Sequence, residues 1–481
     1  MVIVNMHRVI GNAVSILASD VINRATTFIL YALVARYLGA FEFGQLSLAL
    51  TLFYTFQVLA VAGLKTLITR EVAKDTTKTD RYLVNGSIVV IVSSLLSIAF
   101  LLLIVRLMNY SSDTSSIILL LSLGLLPYSL SAICEAVFQA WEKMQYIAYS
   151  NMTVNVVKVG LVFLTLSWGY GLYHLVVLII ASQCVVFGLE WLLMLRCIVK
   201  PRISLDVSFS LAIARSTTAF LGMDGIIAIM ASFNFVLLSK LTNEKEVGLY
   251  NASTQLMAPV ILICQSIVLS VFPVMCRRFE SSLQSLKRIS DYLIELLLAI
   301  TLPIVVGLFF LADSALLLLY RHKDFVLASG ALRIMVWNLI LAALTSVLGQ
   351  VLVASLREKV TLRIVAVDAL INLVIGLILI SQFGLIGAAI TALLTRIVDF
   401  CQHYVPASRL LSRIALGRLV WKPVVASICM ALYLAVVRSQ EVLLTVVSAG
   451  ILYVGVLLAL AIWSFGGPRQ LKARYLYLWS E

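Results

Sequence analysis

Long apolar stretches follow one another along the chain and are separated by short polar segments. A helix needs about 20 predominantly apolar residues to cross a bilayer, and residues 83–105 and 442–463 reach that length without a charged side chain. The pattern predicts about fourteen spans and leaves no room for a soluble catalytic domain. The predicted spans are residues 10–35, 45–68, 82–106, 115–140, 146–168, 174–198, 214–239, 248–275, 289–312, 330–355, 361–381, 384–408, 419–437 and 442–464.

Composition supports a membrane protein. The 481-residue chain is 62% hydrophobic and 12% charged, whereas soluble domains carry about 25% charged residues. The net charge of +13 could suggest nucleic acid as a partner. That partner is not expected, because the basic residues are scattered among short loops and form no continuous patch.

Lys and Arg residues concentrate at one set of span ends. Residues 70–81 and 409–422 carry several cations each, whereas the opposite ends hold isolated ones such as Arg36 and Arg106. Cytoplasmic loops collect Lys and Arg, so the cation-rich ends should face the cytoplasm. Both termini are then cytoplasmic, and the stretch that follows Arg8 is interpreted as the first helix and not as a cleavable signal.

A faint internal repeat relates the first six spans to the next six. Gly44 aligns with Gly248, and the same spacing places Asp20 on Asp224. An even number of spans per unit gives a parallel repeat about an axis along the membrane normal, with a substrate site between two lobes. The expected fold is all-α, with two six-helix lobes and two peripheral C-terminal helices. The predicted domains are residues 1–205 and 206–412 for the lobes and 413–481 for the peripheral helices and cytoplasmic tail.

Charged residues inside the spans mark a candidate site. A charge near the bilayer centre costs about 2.5–3.5 kcal/mol and therefore faces a bundle interior or a wet cavity. Asp20 with Arg24, and Arg396 with Asp399, are spaced so that each pair can neutralise itself on one helix. Lys158 has no carboxylate one turn away, so it either pairs across helices or meets an anionic ligand. The candidates are six carboxylates and three cations: Asp20, Glu135, Glu190, Asp224, Asp368 and Asp399, with Arg24, Lys158 and Arg396.

Several of these charges belong to polar stripes. Asn151, Asn155 and Lys158 share one face of a helix because they are spaced by four and three residues. Polar faces on several helices predict a hydrated cavity inside the bundle. The other stripes are Ser131, Glu135 and Gln139; Asp368 and Asn372; and Thr391, Thr395 and Asp399.

No catalytic constellation is visible in the sequence. It contains no P-loop, HExxH or GxSxG motif, and its four histidines are isolated. Its seven cysteines form no CxxC pair, which disfavours a metal site or a disulfide framework. We therefore expect a protein that is not an enzyme and has no catalytic residues, cofactor or metal.

Residues 35–74 carry a family resemblance. They read ARYLGAFEFGQLSLALTLFYTFQVLAVAGLKTLITREVAK, which resembles the polysaccharide-exporter branch of the multidrug/oligosaccharidyl-lipid/polysaccharide (MOP) flippase superfamily. That branch enters its second helix through ARxLG and a Tyr/Phe-Gly pair and leaves it through an Arg-Glu-x-Ala end. Residues 138–151, 247–253 and 271–273 support the match, which extends over nearly the whole chain.

The resemblance implies a flippase for an undecaprenyl-pyrophosphate-linked oligosaccharide, most like the O-antigen type of the bacterial inner membrane. Arg24, Lys158 and Arg396 would bind the pyrophosphate or acidic sugars. The expected partners are this lipid-linked substrate, membrane lipid, H⁺ or Na⁺ as coupling ion, and a polysaccharide polymerase and chain-length regulator. The remaining site residues are Asp20, Asp224 and Asp399 for ion coupling, and Glu135, Asn151, Asn155, Asp368 and Asn372 as further cavity lining.

Two alternatives stay open. The excess of carboxylates over cations favours a drug/cation antiporter of the same superfamily, and a membrane polysaccharide polymerase is a further candidate. For a flippase, the same excess means either that several carboxylates are paired or protonated, or that the cavity suits a neutral glycan.

Overall fold

The computed structural model describes residues 6–61, 63–201, 204–411, 414–437 and 442–465, and within these ranges it contains helices and no strand. The side chains of residues 6–20, 218–224, 226, 227, 231, 358 and 465 lie outside the described part. The helices are α1 Met6–Val61, α2 Leu64–Lys74, α3 Thr79–Met108, α4 Ser112–Ser122, α5 Leu125–Ala140, α6 Gln145–Ser167, α7 Leu172–Cys197, α8 Val207–Leu241, α9 Glu244–Ser281, α10 Leu283–Phe310, α11 Ala312–Tyr320, α12 Ser329–Met335, α13 Asn338–Ala354, α14 Glu358–Leu410, α15 Leu416–Val436 and α16 Val442–Phe465, with short 3₁₀ helices at Thr76–Lys78 and Lys323–Ala328.

The predicted spans correspond to these helices. Among the described residues, ten helices are long and apolar enough to cross a membrane, or eleven if a pair bent by 44° counts as one span. Helices α1 and α14 each contain two predicted spans, because Gly39 (φ 80°) and Gly384 (φ 52°) interrupt them with non-helical backbone. Glycine adopts positive φ without a steric penalty. The prediction of an all-α, polytopic membrane protein is confirmed.

The helices form two compact units, Met1–Gly248 and Leu249–Glu481. In the first unit, α1 packs against α6, α8, α3 and α4, and α5 packs against α2, α3 and α7. In the second, α13 packs against α14 and α10, and α15 against α10 and α16. The boundaries drawn from the sequence at residues 205 and 412 stay a prediction.

Two glycines allow α1 and the first turn of α9 to cross closely. A Cβ atom at Gly44 would overlap the carbonyl oxygen of Glu244, and one at Gly248 would overlap the carbonyl oxygen of Ala40. Small residues at such crossings let backbones approach. Each glycine meets the carbonyl group four residues before the other, so the contact has the local symmetry that the sequence repeat predicts.

The start of α8 is fixed by a polar cluster at the first turn of α3. Arg81 Nη2 lies 2.7 Å from Asp206 Oδ2, and its guanidinium lies 4.0 Å from the ring centroid of Phe209. The Asp206 backbone N–H donates to buried Asn85 at 2.9 Å. Hydrogen bonds from Ser208, the Phe209 backbone and Arg81 hold the pKa of Asp206 below its usual range. An ionised Asp206 therefore caps α8 and ties it to α3.

The last two helices cover one side of α10. Lys422 on α15 lies 3.5 Å from Glu295, and the Tyr453 hydroxyl on α16 donates to the Ala299 carbonyl at 2.9 Å. Small and apolar side chains such as Ala426 and Met430 fill the space between them. Helix α15 therefore packs on α10, and α16 packs mainly on α15.

We expect a chain truncated after Leu411 to insert into the membrane and fold. The truncation removes Lys422, the cationic partner of Glu295. An unpaired carboxylate within a span is costly, so we expect the truncated chain to be less stable. Adding Glu295→Gln to the truncation should therefore raise the yield of monodisperse protein in size-exclusion chromatography. If both truncated chains aggregate or are absent from the membrane fraction, α15 and α16 belong to the folded core.

Candidate functional site: two polar cavities within the helical units

A small polar cavity lies between α5, α6 and α7 of the first unit. Its volume is about 90 Å³, which is room for roughly three water molecules. Hydroxyl and amide groups dominate its walls, with one carboxylate, so it offers both donors and acceptors. The lining residues are Tyr128, Ser131, Ala132, Glu135, Asn151, Asn155, Ser182, Gln183 and Val186.

The cavity carboxylate is paired. Glu135 accepts from Lys65 of α2 in an ion pair, and its other oxygen accepts from Asn151 Nδ2 at 3.1 Å. Lys65 was not among the residues expected at the site, because its partner lies 70 positions further along the chain. This pair removes one carboxylate from the excess seen in the sequence.

Lys158 lies beside the same cavity without an ion pair. Its Nζ atom donates to Asn155 Oδ1 at 2.6 Å, and Asn155 Nδ2 donates in turn to Asn23 Oδ1 at 2.8 Å. No carboxylate pairs with Lys158 among the side chains that the structure describes. The half-buried ammonium group keeps donor capacity for an anion.

Glu190 has a different setting. It is fully buried and accepts from the hydroxyl groups of Ser131 and Ser150, the latter at 3.0 Å. These three residues belong to α7, α5 and α6, so the carboxyl group connects three helices. Hydrogen bonds of this kind join helices inside membranes, and we interpret Glu190 as a packing residue.

The remaining candidates of the first unit are less defined. Arg24 on α1 is exposed, and no ion pair joins it to another described side chain. Asp20 and Asp224, both predicted for ion coupling, have side chains outside the described residues, so their surroundings and the predicted Asp20–Arg24 pairing stay untested.

A larger cavity lies between α9, α13 and α14 of the second unit. Its volume is about 220 Å³, and polar and apolar groups share its walls. Three ionisable side chains of α14 reach it, and two of them, Arg396 and Asp399, were predicted. The lining residues are Ile261, Cys264, Gln265, Leu339, Ala342, Ala343, Thr345, Ser346, Arg396, Asp399 and His403.

Asp399 is the centre of this cluster. Arg396 Nη1 lies 2.9 Å from Asp399 Oδ2, and His403 Nδ1 lies 2.8 Å from Oδ1. Asp368 interacts electrostatically with Asp399 and His403, and its Oδ1 atom accepts from Gln402 Nε2 at 2.9 Å. The Arg396–Asp399 pairing that the spacing allowed is present. His403 was judged isolated, although its position four residues after Asp399 could have revealed it.

Asn372 lies apart from the cavity lining. Its Nδ2 atom donates to Thr395 Oγ1 at 3.3 Å, so it joins the two halves of α14 that Gly384 separates. Within the described part of the chain, no group of three or more His, Cys, Asp or Glu residues is arranged to hold a metal ion.

Comparison with solved structures identifies proteins of similar fold. The fold is similar to the lipid II flippase MurJ in an inward closed conformation, with a TM-score of 0.72, 17% identity, and coverage of 93% of this chain and 98% of that one. It is also similar to an inward-facing multidrug resistance MATE family transporter of the MOP superfamily, with a TM-score of 0.68, 14% identity, and coverage of 83% and 99%. The chain therefore shares the fold of these two proteins.

The sequence gives the family. Residues 9–279, more than half of the chain, match the model described as polysaccharide biosynthesis protein, so the protein belongs to that family. The chain is also 23% identical over 161 residues to the probable low-salt glycan biosynthesis flippase Agl15 of Haloferax volcanii. That alignment spans 33% of this chain and 34% of Agl15. The resemblance to the polysaccharide branch of the superfamily is confirmed.

Proposed function

We propose that the protein moves an undecaprenyl-pyrophosphate-linked oligosaccharide, an O-antigen or related repeat unit, to the extracytoplasmic leaflet of the bacterial inner membrane. Transport would proceed by alternating access and be driven by an ion gradient. The family and the likeness to flippases support a lipid-linked glycan as substrate. A polysaccharide polymerase and a chain-length regulator would act on the product.

The observation that carries this proposal is a cation beside a polar cavity that has no ion-pair partner among the described side chains. Lys158 donates to the side-chain amide of Asn155, and a cation inside a membrane protein requires an anion or a wet surrounding. Pyrophosphate satisfies that requirement through charge-assisted hydrogen bonds. Arg24 is a second candidate contact, whereas Arg396 would have to leave Asp399 to reach a phosphate.

The cavity next to Lys158 suits neutral sugar hydroxyl groups. Asn151, Asn155 and Gln183 supply amide donors and acceptors, and Tyr128 adds an aromatic face with a hydroxyl group. Because Lys65 is paired with Glu135, this cation is not available to an acidic sugar. The residues that line this cavity therefore favour a neutral sugar next to the pyrophosphate.

The second cavity would serve ion coupling. Asp399 and Asp368 lie within one cluster of α14, and two neighbouring carboxyl groups can exchange a cation as the cavity opens and closes. Residues Asp20 and Asp224 would contribute from α1 and α8. A drug/cation antiporter would use the same cluster, and the fold alone does not separate the two functions.

Deletion of the gene in its host should separate the candidate functions. We expect surface polysaccharide to disappear from gels while complete lipid-linked units accumulate on the cytoplasmic leaflet, and a plasmid carrying the full chain should reverse both effects. Single units that reach the outer leaflet without being joined would indicate a polymerase. Normal surface glycan with increased drug sensitivity would indicate an antiporter.

A further inference from the structure

Four ionisable side chains of α14 form a cluster whose net charge can be brought to zero by one proton. They are Asp368, Arg396, Asp399 and His403. When both carboxyl groups are ionised, Asp368 and Asp399 are opposed by a single fixed cation, Arg396, so the cluster carries one net negative charge while the His403 imidazole is neutral. Protonation of that ring brings the total to zero. A neutral cluster costs less to enclose in a membrane protein than a charged one, so proton uptake and closure of the cavity favour each other.

His403 is placed to hold this proton. It is 8% exposed, it lines the cavity of about 220 Å³, and its Nδ1 atom faces both Asp399 Oδ1 at 2.8 Å and the Asp399 carbonyl oxygen at 3.0 Å. An N–H group at Nδ1 therefore has hydrogen-bond acceptors whether the imidazole is neutral or protonated. Its Nε2 atom faces Gly349 of α13, which has no side chain of its own to place against the ring.

The other elements around the ring bring little competing charge. From α9 the cavity receives Cys264 and Gln265, and from α13 it receives Thr345 and Ser346. Helix α13 contains no ionisable residue. Within the described residues, the charged groups that face His403 are therefore Asp368, Arg396 and Asp399 of α14 itself.

Sodium fits the same cluster poorly. Na⁺ is a hard cation that takes oxygen ligands, as Ca²⁺ and Mg²⁺ do, and both carboxylate oxygens of Asp399 already meet N–H donors from Arg396 and His403. Asp368 Oδ1 likewise accepts from Gln402. A sodium ion would have to displace these donors, whereas a proton needs only the imidazole nitrogen.

We propose that the coupling ion is a proton and that His403 carries it, with Asp399 holding the ring in place and Asp368 and Arg396 setting the charge balance. This inference rests on the proposed flippase function. The proton binds the neutral imidazole on the acidic side of the membrane, the imidazolium pairs with Asp399 during closure, and the same proton leaves on the other side.

A transport assay can identify the coupling ion directly. The full-length protein in vesicles is given a fluorescent undecaprenyl-pyrophosphate oligosaccharide, with either a pH gradient without Na⁺ or a Na⁺ gradient at equal pH. A difference of one pH unit should bias the leaflet distribution by up to about tenfold for one proton per substrate. His403→Gln should abolish that bias yet still equilibrate substrate, while His174→Gln, which alters an exposed histidine of α7, should retain it.

A second measurement keeps the two proposals distinguishable. The ring resonances of isotope-labelled histidine, assigned with His403→Gln, should show His403 titrating with pH in lipid nanodiscs and responding to Asp399→Asn. A bias from the Na⁺ gradient, a retained bias in His403→Gln or a ring that does not titrate overturns the proton assignment. Absence of substrate movement under every gradient, with a titrating ring, overturns the flippase function and the assignment of coupling with it.

Discussion

Lys158→Ala is expected to abolish glycan export while the protein still inserts and folds. The substitution removes the cation that we assign to the pyrophosphate, and a hydrogen bond to a charged group contributes about 1.5–3 kcal/mol. This corresponds to a loss of roughly 10- to 150-fold in affinity. Surface polysaccharide in a complemented deletion strain measures the effect, and the amount of protein in the membrane fraction shows whether folding is intact.

Two variants at Lys158 and one at Lys65 separate the effect of charge from that of packing. Lys158→Arg keeps the positive charge and should retain part of the export, while Lys158→Met keeps the length and should behave like alanine. Lys65→Met removes a cation of the same helical unit that already has Glu135 as its partner, so it should lower stability more than substrate affinity. Normal export in Lys158→Met would contradict a cationic role for this residue.

Gly44→Ala is expected to have the second large effect, on the crossing of α1 and α9. The new methyl group would occupy the position of the Glu244 carbonyl oxygen, and backbone cannot rotate away as a flexible side chain can. Overpacking of this kind costs about 1–3 kcal/mol. We expect a lower yield of folded protein and lower export, both measured on tagged protein in the complemented strain.

The symmetry of the crossing allows the effect of Gly44→Ala to be compared with that of Gly248→Ala. Gly248→Ala should reproduce the phenotype, because its Cβ atom would overlap the Ala40 carbonyl in the same way. Gly160→Ala on α6 is the matched control, since nothing lies within 4 Å of a Cβ atom at that position. Wild-type yield and export in both Gly44→Ala and Gly248→Ala would show that the two helices do not approach so closely.

The sequence was sufficient for the fold class because lipid imposes a simple rule on it. Every span must be apolar over about 20 residues and satisfy its own backbone, so hydropathy marks the helices directly. It could not show that Gly39 and Gly384 are the points where two successive helices are joined through non-helical backbone. The alignment of Gly44 with Gly248 indicated symmetry, yet the contact between them depends on how the helices pack.

Site residues were harder to predict because their partners lie on other helices. Polar spacing placed Asn151, Asn155 and Lys158 on one face of α6, and two of the three line the cavity. The pairing of Glu135 with Lys65 depends on the packing of α2 against α5, which no local spacing reports. His403 had a local signal, the interval of four residues from Asp399, and was overlooked because an isolated histidine is common in a core.

The most direct test of the account is a leaflet assay with purified protein. Vesicles containing the full chain and a labelled undecaprenyl-pyrophosphate oligosaccharide are treated with a reagent that attacks sugars and cannot cross the membrane. We expect the protected inner-leaflet fraction to become accessible faster than in protein-free vesicles, and Lys158→Ala to remove that acceleration. Equal rates with and without the wild-type protein would contradict a glycolipid flippase.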